Sequence, residues 1–266
     1  MERPSKISFV ILTWNSSAYI NACVTSIFED LGETDFKPEI FVVDNGSTDG
    51  TVEILNQLKD QYPDEIFPIF LDRNYGTTYT RNLALKEATG DYICILDSDI
   101  EIKTGTLAHL IQCMDENRIT GIVAPKLVYP NGKIQKSTDQ FPTLFRKLER
   151  YFMLKKIEAR EQDGPEPGAN QLVDYAISAF WLFPASLLDS VTGLDERFFY
   201  APEDVDFCYR VWQSGHQVMF CPGGSAIHHT QELSRGFRVN WAMIQHLKGL
   251  AAYFMKHGYI FRRPRR

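Results

Sequence analysis

"YICILDSDIEI", residues 92–102, packs Ile93, Ile95 and Leu96 into a short apolar run and then ends it on two carboxylates, Asp97 and Asp99. A run of this length bounded by polar turn residues predicts a buried strand. Neighbouring carboxylates repel, so a cation is expected at the strand's mouth. Asp97-Ser98-Asp99 is a hard oxygen-ligand set, of the kind that suits Mg²⁺ or Mn²⁺ shared with substrate phosphates. The plain alternative is a strand that simply ends in polar turn residues, and the triplet alone does not choose.

Working outward, the same pattern repeats. "ISFVIL" (7–12) is a compact, β-branched-rich strand followed by the turn chemistry of "TWNSS" and a helix to about Leu31. "EIFVV" (39–43) is a second strand ending at Asp44, and "NGSTDG" offers capping groups to a helix in which Val52, Leu55 and Leu58 form a stripe. "IFPIFL" (66–71) is a third strand whose proline suits a sheet edge. "TYTRNLALKEATG" (78–90) predicts a helix closing on Gly90, and Leu107, Leu110, Ile111 and Met114 mark another. Alternating strands and helices imply a mostly parallel sheet covered on both faces, with ligands at the carboxyl ends of the strands. Asp44, Asp97 and Asp99 fall at such ends.

Beyond residue 117 the pattern is less regular. "GIVAPKLVY" with "PNGK" predicts a strand and hairpin, followed by a basic, aromatic helix near 143–158 and a loop, "EQDGPEPGANQ" (161–171). "LVDYAISAFWLF" (172–183) reads as one strand, and "HQVMFC" and "SAIHH" supply the last strands. No internal repeat is present, so 1–266 is expected to form one domain: a first half (1–117), a second half (118–235) and a C-terminal helix with a basic tail (236–266).

The composition, 44% hydrophobic and 23% charged, is that of a globular protein with a substantial core. A net charge of −6 argues against nucleic acid as a partner. Five scattered cysteines without a CxxC pair predict a reducing, cytoplasmic setting, and no apolar run is long enough for a signal peptide or a membrane span. The first strand is followed by neither a dinucleotide-binding glycine fingerprint nor a Walker loop, so phosphates must be held by a metal, loop amides and a few cations.

"VILTWNS", "FVVDNGSTDGT", "DRNYGTTYTRNLAL", "GDYICILDSDIEI", "GLDERFFYAPEDVDFCYRVWQSG" and "AIHH" occur in the order found in family 2 glycosyltransferases. The chain resembles their rhamnosyltransferase-like branch over residues 6–230. The resemblance implies the GT-A fold, a Rossmann-like, mostly parallel α/β sheet flanked by helices, and a nucleoside diphosphate sugar donor, UDP- or dTDP-linked. By the same resemblance Thr13 and Asn15 lie by the nucleotide and Asp44 by its base or ribose. Asn74, Gly76 and Arg81 lie near the nucleotide and diphosphate, and a guanidinium pairs well with phosphate oxygens. Asp97, Ser98 and Asp99 match the metal motif: the second carboxylate ligates Mn²⁺ or Mg²⁺, the first contacts ribose or a bound water, and Ser98 belongs with the donor-binding residues.

In "PEDVDF", Asp204 matches the general base of an inverting displacement, with Glu203 sharing the role and Asp206 orienting the site. On composition alone these acids could simply stabilise the first turn of a helix. By the same resemblance His228 or His229, the two not separable in sequence, completes the metal shell, the alternative being a satisfied structural histidine. Trp14 and Trp181 could stack on the donor or belong to the core. Segments 160–171 and 230–236 are expected to act as lids. The apolar-aromatic end of the chain with its basic tail suits either an anionic leaflet or a solvated helix surface, and the implied acceptor is a saccharide or a lipid-linked glycan of the bacterial cell surface. Two other functions compete: a sugar-phosphate nucleotidylyltransferase, which expects a basic Gly-rich loop where this chain has "TWNSS", and a catalytically silent nucleotide-sugar or glycan-binding module.

Overall fold

A computed structural model describes residues 6–32, 34–143, 168–230 and 241–259. The expected helix near 143–158 and most of the 160–171 and 230–236 segments lie outside them, as does the basic end of the chain.

The first half alternates β1 (Lys6–Thr13), α1 (Ile20–Leu31), β2 (Lys37–Asp44), α2 (Thr51–Gln61), β3 (Ile66–Phe70), α3 (Thr77–Glu87), β4 (Tyr92–Asp97), β5 (Ile100–Ile102) and α4 (Thr106–Glu116). There follow β6 (Thr120–Val128), β7 (Ile134–Gln135), β8 (Thr138–Asp139), β9 (Gln171–Leu172), β10 (Tyr175–Ala176), β11 (Phe180–Pro184), α5 (Leu187–Ser190), α6 (Glu203–Gln213), β12 (Gln217–His228) and α7 (Trp241–His257).

The main sheet runs β3-β2-β1-β4-β11-β6-β12-β5. Its first four strands are parallel, β11 enters antiparallel between β4 and β6, and β6 and β12 are again parallel. Pleat alternation divides the core between two faces. Phe9, Ile11, Cys94 and Leu96 pack with Ile20, Val24, Leu55 and Leu107 of α1, α2 and α4. Val10, Ile93, Ile95 and Phe183 pack with Leu85, Leu187, Phe207 and Val211 of α3, α5 and α6. Each fully buried aliphatic or aromatic side chain here contributes about 1.5–3 kcal/mol. Trp181 is wholly buried, stacks on Phe207 and belongs to this core; Trp14 is exposed.

β3, with Pro68 opposite Val42, is the edge strand its proline predicted. Three expectations change. The strand read over 172–183 is three separate pieces, β9, β10 and β11. Asp174 and Ser178 break it by bonding elsewhere: Asp174 accepts Phe141 N–H at 2.7 Å, and Ser178 turns to α3 and α6. α3 ends at Glu87 with Ala88, not Gly90, as its cap; Gly90 packs on β1, where a Cβ would meet Ser8 N at 2.7 Å. The last two predicted strands are one, β12, irregular between Cys221 and Ser225.

Strand register aligns the chemistry. Leu12 pairs with Asp97 and Thr13 with Asp44, so the carboxyl ends of β1, β2 and β4 form one rim.

Candidate active site

At the rim of β1 and β2, Thr13 and Asp44 are both buried, and Thr13 Oγ1 and Asp44 Oδ1 have no partner among the described residues. Buried polar atoms cost free energy unless paired, so two on adjacent strands make this rim a candidate ligand site. The other Asp44 oxygen accepts Ser47 N–H at 3.0 Å. Asn15 adopts a left-handed φ of 51°, which asparagine tolerates better than most residues. Its amide donates to Ser47 Oγ and its Oδ1 accepts from Thr48 N–H, each at 2.8 Å, tying together the loops after β1 and β2. Ser98 Oγ donates to Ser16 Oγ, also at 2.8 Å, and so anchors the β4 end to the same loops.

The "NYG" loop is held by Asn45, whose Nδ2 reaches Asn74 Oδ1 at 3.0 Å and whose Oδ1 accepts Tyr75 N–H at 2.8 Å. Gly76 has φ +88° and leaves no room for a Cβ against the Phe199 carbonyl, which also accepts Thr77 N–H at 2.7 Å. The start of α3 therefore abuts the loop that leads into α6.

Arg81 stands between the two acidic groups. It is buried: Nη2 contacts Asp97 Oδ1 at 2.5 Å, and Nη1 donates to Ser178 Oγ at 2.8 Å and lies 3.5 Å from Glu203 Oε1. Ser178 in turn donates to Glu203 Oε1 at 3.1 Å. In this state the guanidinium is committed to protein partners rather than displayed on the helix surface. Burial, with the Asp204 charge added, pushes Glu203 up to about 8 despite Arg81. Asp97 is also raised, by burial and then by Asp99, with Arg81 opposing. Asp204 is half-buried in the first turn of α6, where its Oδ1 accepts Val205 N–H at 2.8 Å. Asp206 is fully buried and bonded to α7, so it belongs to the helix packing.

The histidines separate. His228 Nε2 lies 3.3 Å from Asp99 Oδ1, whereas His229 Nε2 engages Glu101 at 2.8 Å and its ring packs 5.4 Å from Tyr19. Burial pulls the His228 pKa down, but the bond to Asp99 and the charges of Asp99 and Asp97 together outweigh it, and the net shift is upward. Gln135 Oε1, 2.8 Å from His228 Nδ1, accepts from that nitrogen and leaves Nε2 for a ligand, the arrangement common behind metal-bound histidines. Ligand atoms of Asp97, Asp99 and His228 all lie within 4.8 Å of one another. Two carboxylates and one imidazole make a partial shell that fits Mn²⁺ or Mg²⁺ and leaves positions for phosphate oxygens.

Ser178, Gln135 and Asn45 were not singled out in the sequence. Each is an ordinary polar residue in a short strand or loop, and only its tertiary partners give it a role.

The Glycosyl transferase family 2 model matches residues 8–179. An N-acetylglucosaminyl-diphospho-decaprenol L-rhamnosyltransferase from Mycobacterium tuberculosis is 27% identical over 206 residues, 71% of this chain and 66% of that protein. Against the first curated relatives it matches, the chain spans 35% to 66% of their length. Among solved structures, GalNAc-T7 with UDP, GalNAc and Mn²⁺ aligns with a TM-score of 0.68 at 14% identity, covering 96% of this chain and 48% of that one. The mannosyltransferase PcManGT from Pyrobaculum calidifontis, in complex with GDP-Man and Mn²⁺, aligns at 0.64 and 20% identity, covering 99% and 67%. At such identities the structural likeness establishes the GT-A architecture. Among the described residues no helix is long and apolar enough to cross a membrane.

Proposed function

Because the chain belongs to glycosyl transferase family 2, we propose that it is an inverting glycosyltransferase that moves a sugar from a UDP- or dTDP-linked donor to a saccharide or lipid-linked acceptor in bacterial cell-surface glycan synthesis. The carrying observation is the Asp97–Asp99–His228 cluster, joined through Arg81 to the acidic turn of α6.

In this reading the nucleotide lies along the rim, where Thr13 Oγ1 and Asp44 Oδ1 take its polar groups and the Asn15 and Asn74–Gly76 loops line it. Asp99 and His228 would hold Mn²⁺ or Mg²⁺ with Asp97, and the bound ion would neutralise charge on the departing diphosphate. Asp204 takes the proton from the acceptor hydroxyl as its oxygen attacks the anomeric carbon opposite the diphosphate, which inverts the configuration. The α6 dipole favours its ionised form. Glu203, largely protonated at neutral pH and bonded to Ser178, is better placed to orient Arg81 than to accept a proton. Five buried free cysteines suit a cytoplasmic site of action. Leu247 and Met255 exposed on α7, beside the basic end of the sequence, suit peripheral contact with an anionic leaflet.

The test is a thermal-shift panel of UDP- and dTDP-sugars with and without Mn²⁺. A selective, metal-dependent rise in melting temperature is expected, and silence toward every member overturns the reading. A nucleotidylyltransferase would instead release pyrophosphate or form the sugar nucleotide. A silent binding module would bind the donor in both wild type and Asp204→Asn, with no turnover from either.

A further inference from the structure

Residues 180–266 lie beyond the family match, and α7 is part of that remainder. Its last turn grips the first turn of α6. Asp206, fully buried, accepts hydrogen bonds at Oδ1 from Lys256 Nζ at 2.6 Å and His257 Nε2 at 2.8 Å, while Arg210 Nε reaches Oδ2 at 2.9 Å. Lys256 Nζ also bonds Asp195 Oδ2 at 2.7 Å, so one ammonium bridges α6 and the segment before it. A second contact lies one residue before Pro202: at Gly249 there is no space for a Cβ against the Ala201 carbonyl, so helix backbone and loop touch directly. Tyr253 and Phe254 pack with Phe198, Val205 and Phe141. From the other side α3 holds the same loop, through Thr78 Oγ1 on the Phe198 carbonyl at 2.6 Å and Thr77 N–H on the Phe199 carbonyl. Segment 198–206 is therefore fixed between α3 and the C-terminal helix.

We propose that Lys256 and His257 are positioning residues for the acidic turn, with α7 setting where Asp204 stands relative to the donor. The inference rests on the glycosyltransferase reading above. Asp206 lies two residues from Asp204 in the same turn, so a shift of its carboxylate moves the base. Turnover is sensitive to displacements of an ångström in a reacting group, whereas nucleotide binding at the far rim is not.

Lys256→Met keeps the side chain's length and removes its charge. With the panel's preferred UDP- or dTDP-sugar and Mn²⁺, kcat is expected to fall about 10-fold or more. The donor KM, and the affinity for UDP or dTDP by calorimetry, should stay within about twofold, a difference too small to count as lost binding. Lys256→Arg should restore most of the turnover, and hydrogen exchange should quicken at the 203–206 amides of Lys256→Met. Unchanged turnover in Lys256→Met overturns the proposal, as does a parallel loss of turnover, nucleotide affinity and melting temperature that Arg does not rescue. Should Lys256→Met fail to fold, His257→Gln is read by the same criteria. Asp204→Asn, assayed alongside, keeps the two readings apart: full activity there removes the base assignment, while exchange at 203–206 still reports on positioning without any reaction.

Discussion

Arg81 and Asp97 form a contact of 2.5 Å in which the guanidinium is almost wholly buried and the carboxylate stands at the end of β4. The same guanidinium reaches Glu203 on α6, so one side chain joins the rim at the end of β4 to the acidic turn. Breaking a buried charge pair by removing one partner leaves the other uncompensated. Arg81→Met is therefore expected to destabilise the fold by about 3–5 kcal/mol. Urea unfolding measures it, and a loss of under about 1 kcal/mol, the range of surface pairs, would show that the contact is solvated.

Glu203 makes stability depend on pH. Burial raises it from an ordinary 4.5 to about 8. Between those values the folded chain keeps a proton that the unfolded chain has released, so this group's contribution is present at acid pH and is lost as pH rises through the window. The slope is at most about 1.4 kcal/mol per pH unit. In Glu203→Gln that component is expected to vanish. Urea midpoints at pH 5, 6.5 and 8 decide it: a variant that keeps the wild-type slope shows the titration belongs to another group.

Gly76 is the joint between halves, and Gly76→Ala tests it. The positive φ and the Phe199 carbonyl both exclude a methyl group, so α3 must back away from the loop before α6. A stability loss of about 1–3 kcal/mol is expected, with turnover falling more than nucleotide affinity. Wild-type turnover in Gly76→Ala would mean that the joint tolerates movement.

Much of this was legible from short-range pattern. Apolar runs located β1, β2 and β4, three- and four-residue spacing located α2 and α4, and carboxylates at strand ends located the rim. Long-range partners stayed hidden. In sequence Arg81 reads as a cation for phosphate oxygens, yet its protein partners Ser178 and Glu203 lie 97 and 122 residues away. Gln135 bonds His228 across 93 residues, and the tertiary partners, Asp99 and Gln135 for His228 and Glu101 for His229, are what distinguish the two histidines. Residues 172–183 misled for a related reason. Apolar content marked a strand, while Asp174 and Ser178 took tertiary bonds that a continuous ladder would have denied them.

Asp44→Ala removes a buried carboxylate whose Oδ1 lacks a partner among the described residues. If that oxygen meets the nucleotide, the lost bond is worth about 1.5–3 kcal/mol, or about 10- to 150-fold in affinity. Calorimetry with UDP and dTDP measures it, and equal affinity in variant and wild type would place the base or ribose elsewhere.

The metal cluster yields the sharpest contrast because two adjacent histidines have opposite expected roles. His228 shares its site with Asp97 and Asp99 and is oriented by Gln135, whereas His229 is paired with Glu101 outside that set. A ligand that binds only the folded state raises stability by about 2.7 kcal/mol at one hundred times its dissociation constant. Wild type and His229→Gln should both gain melting temperature from Mn²⁺ in the presence of UDP. Asp99→Asn and His228→Gln should gain little, since each removes one of the three candidate ligands that cluster here among the described residues. Both variants keep the size of the side chain they replace, so their melting temperatures without metal serve as the control for folding. Loss of the Mn²⁺ response in His229→Gln, with the response intact in His228→Gln, would reverse the assignment and move the ion toward Glu101.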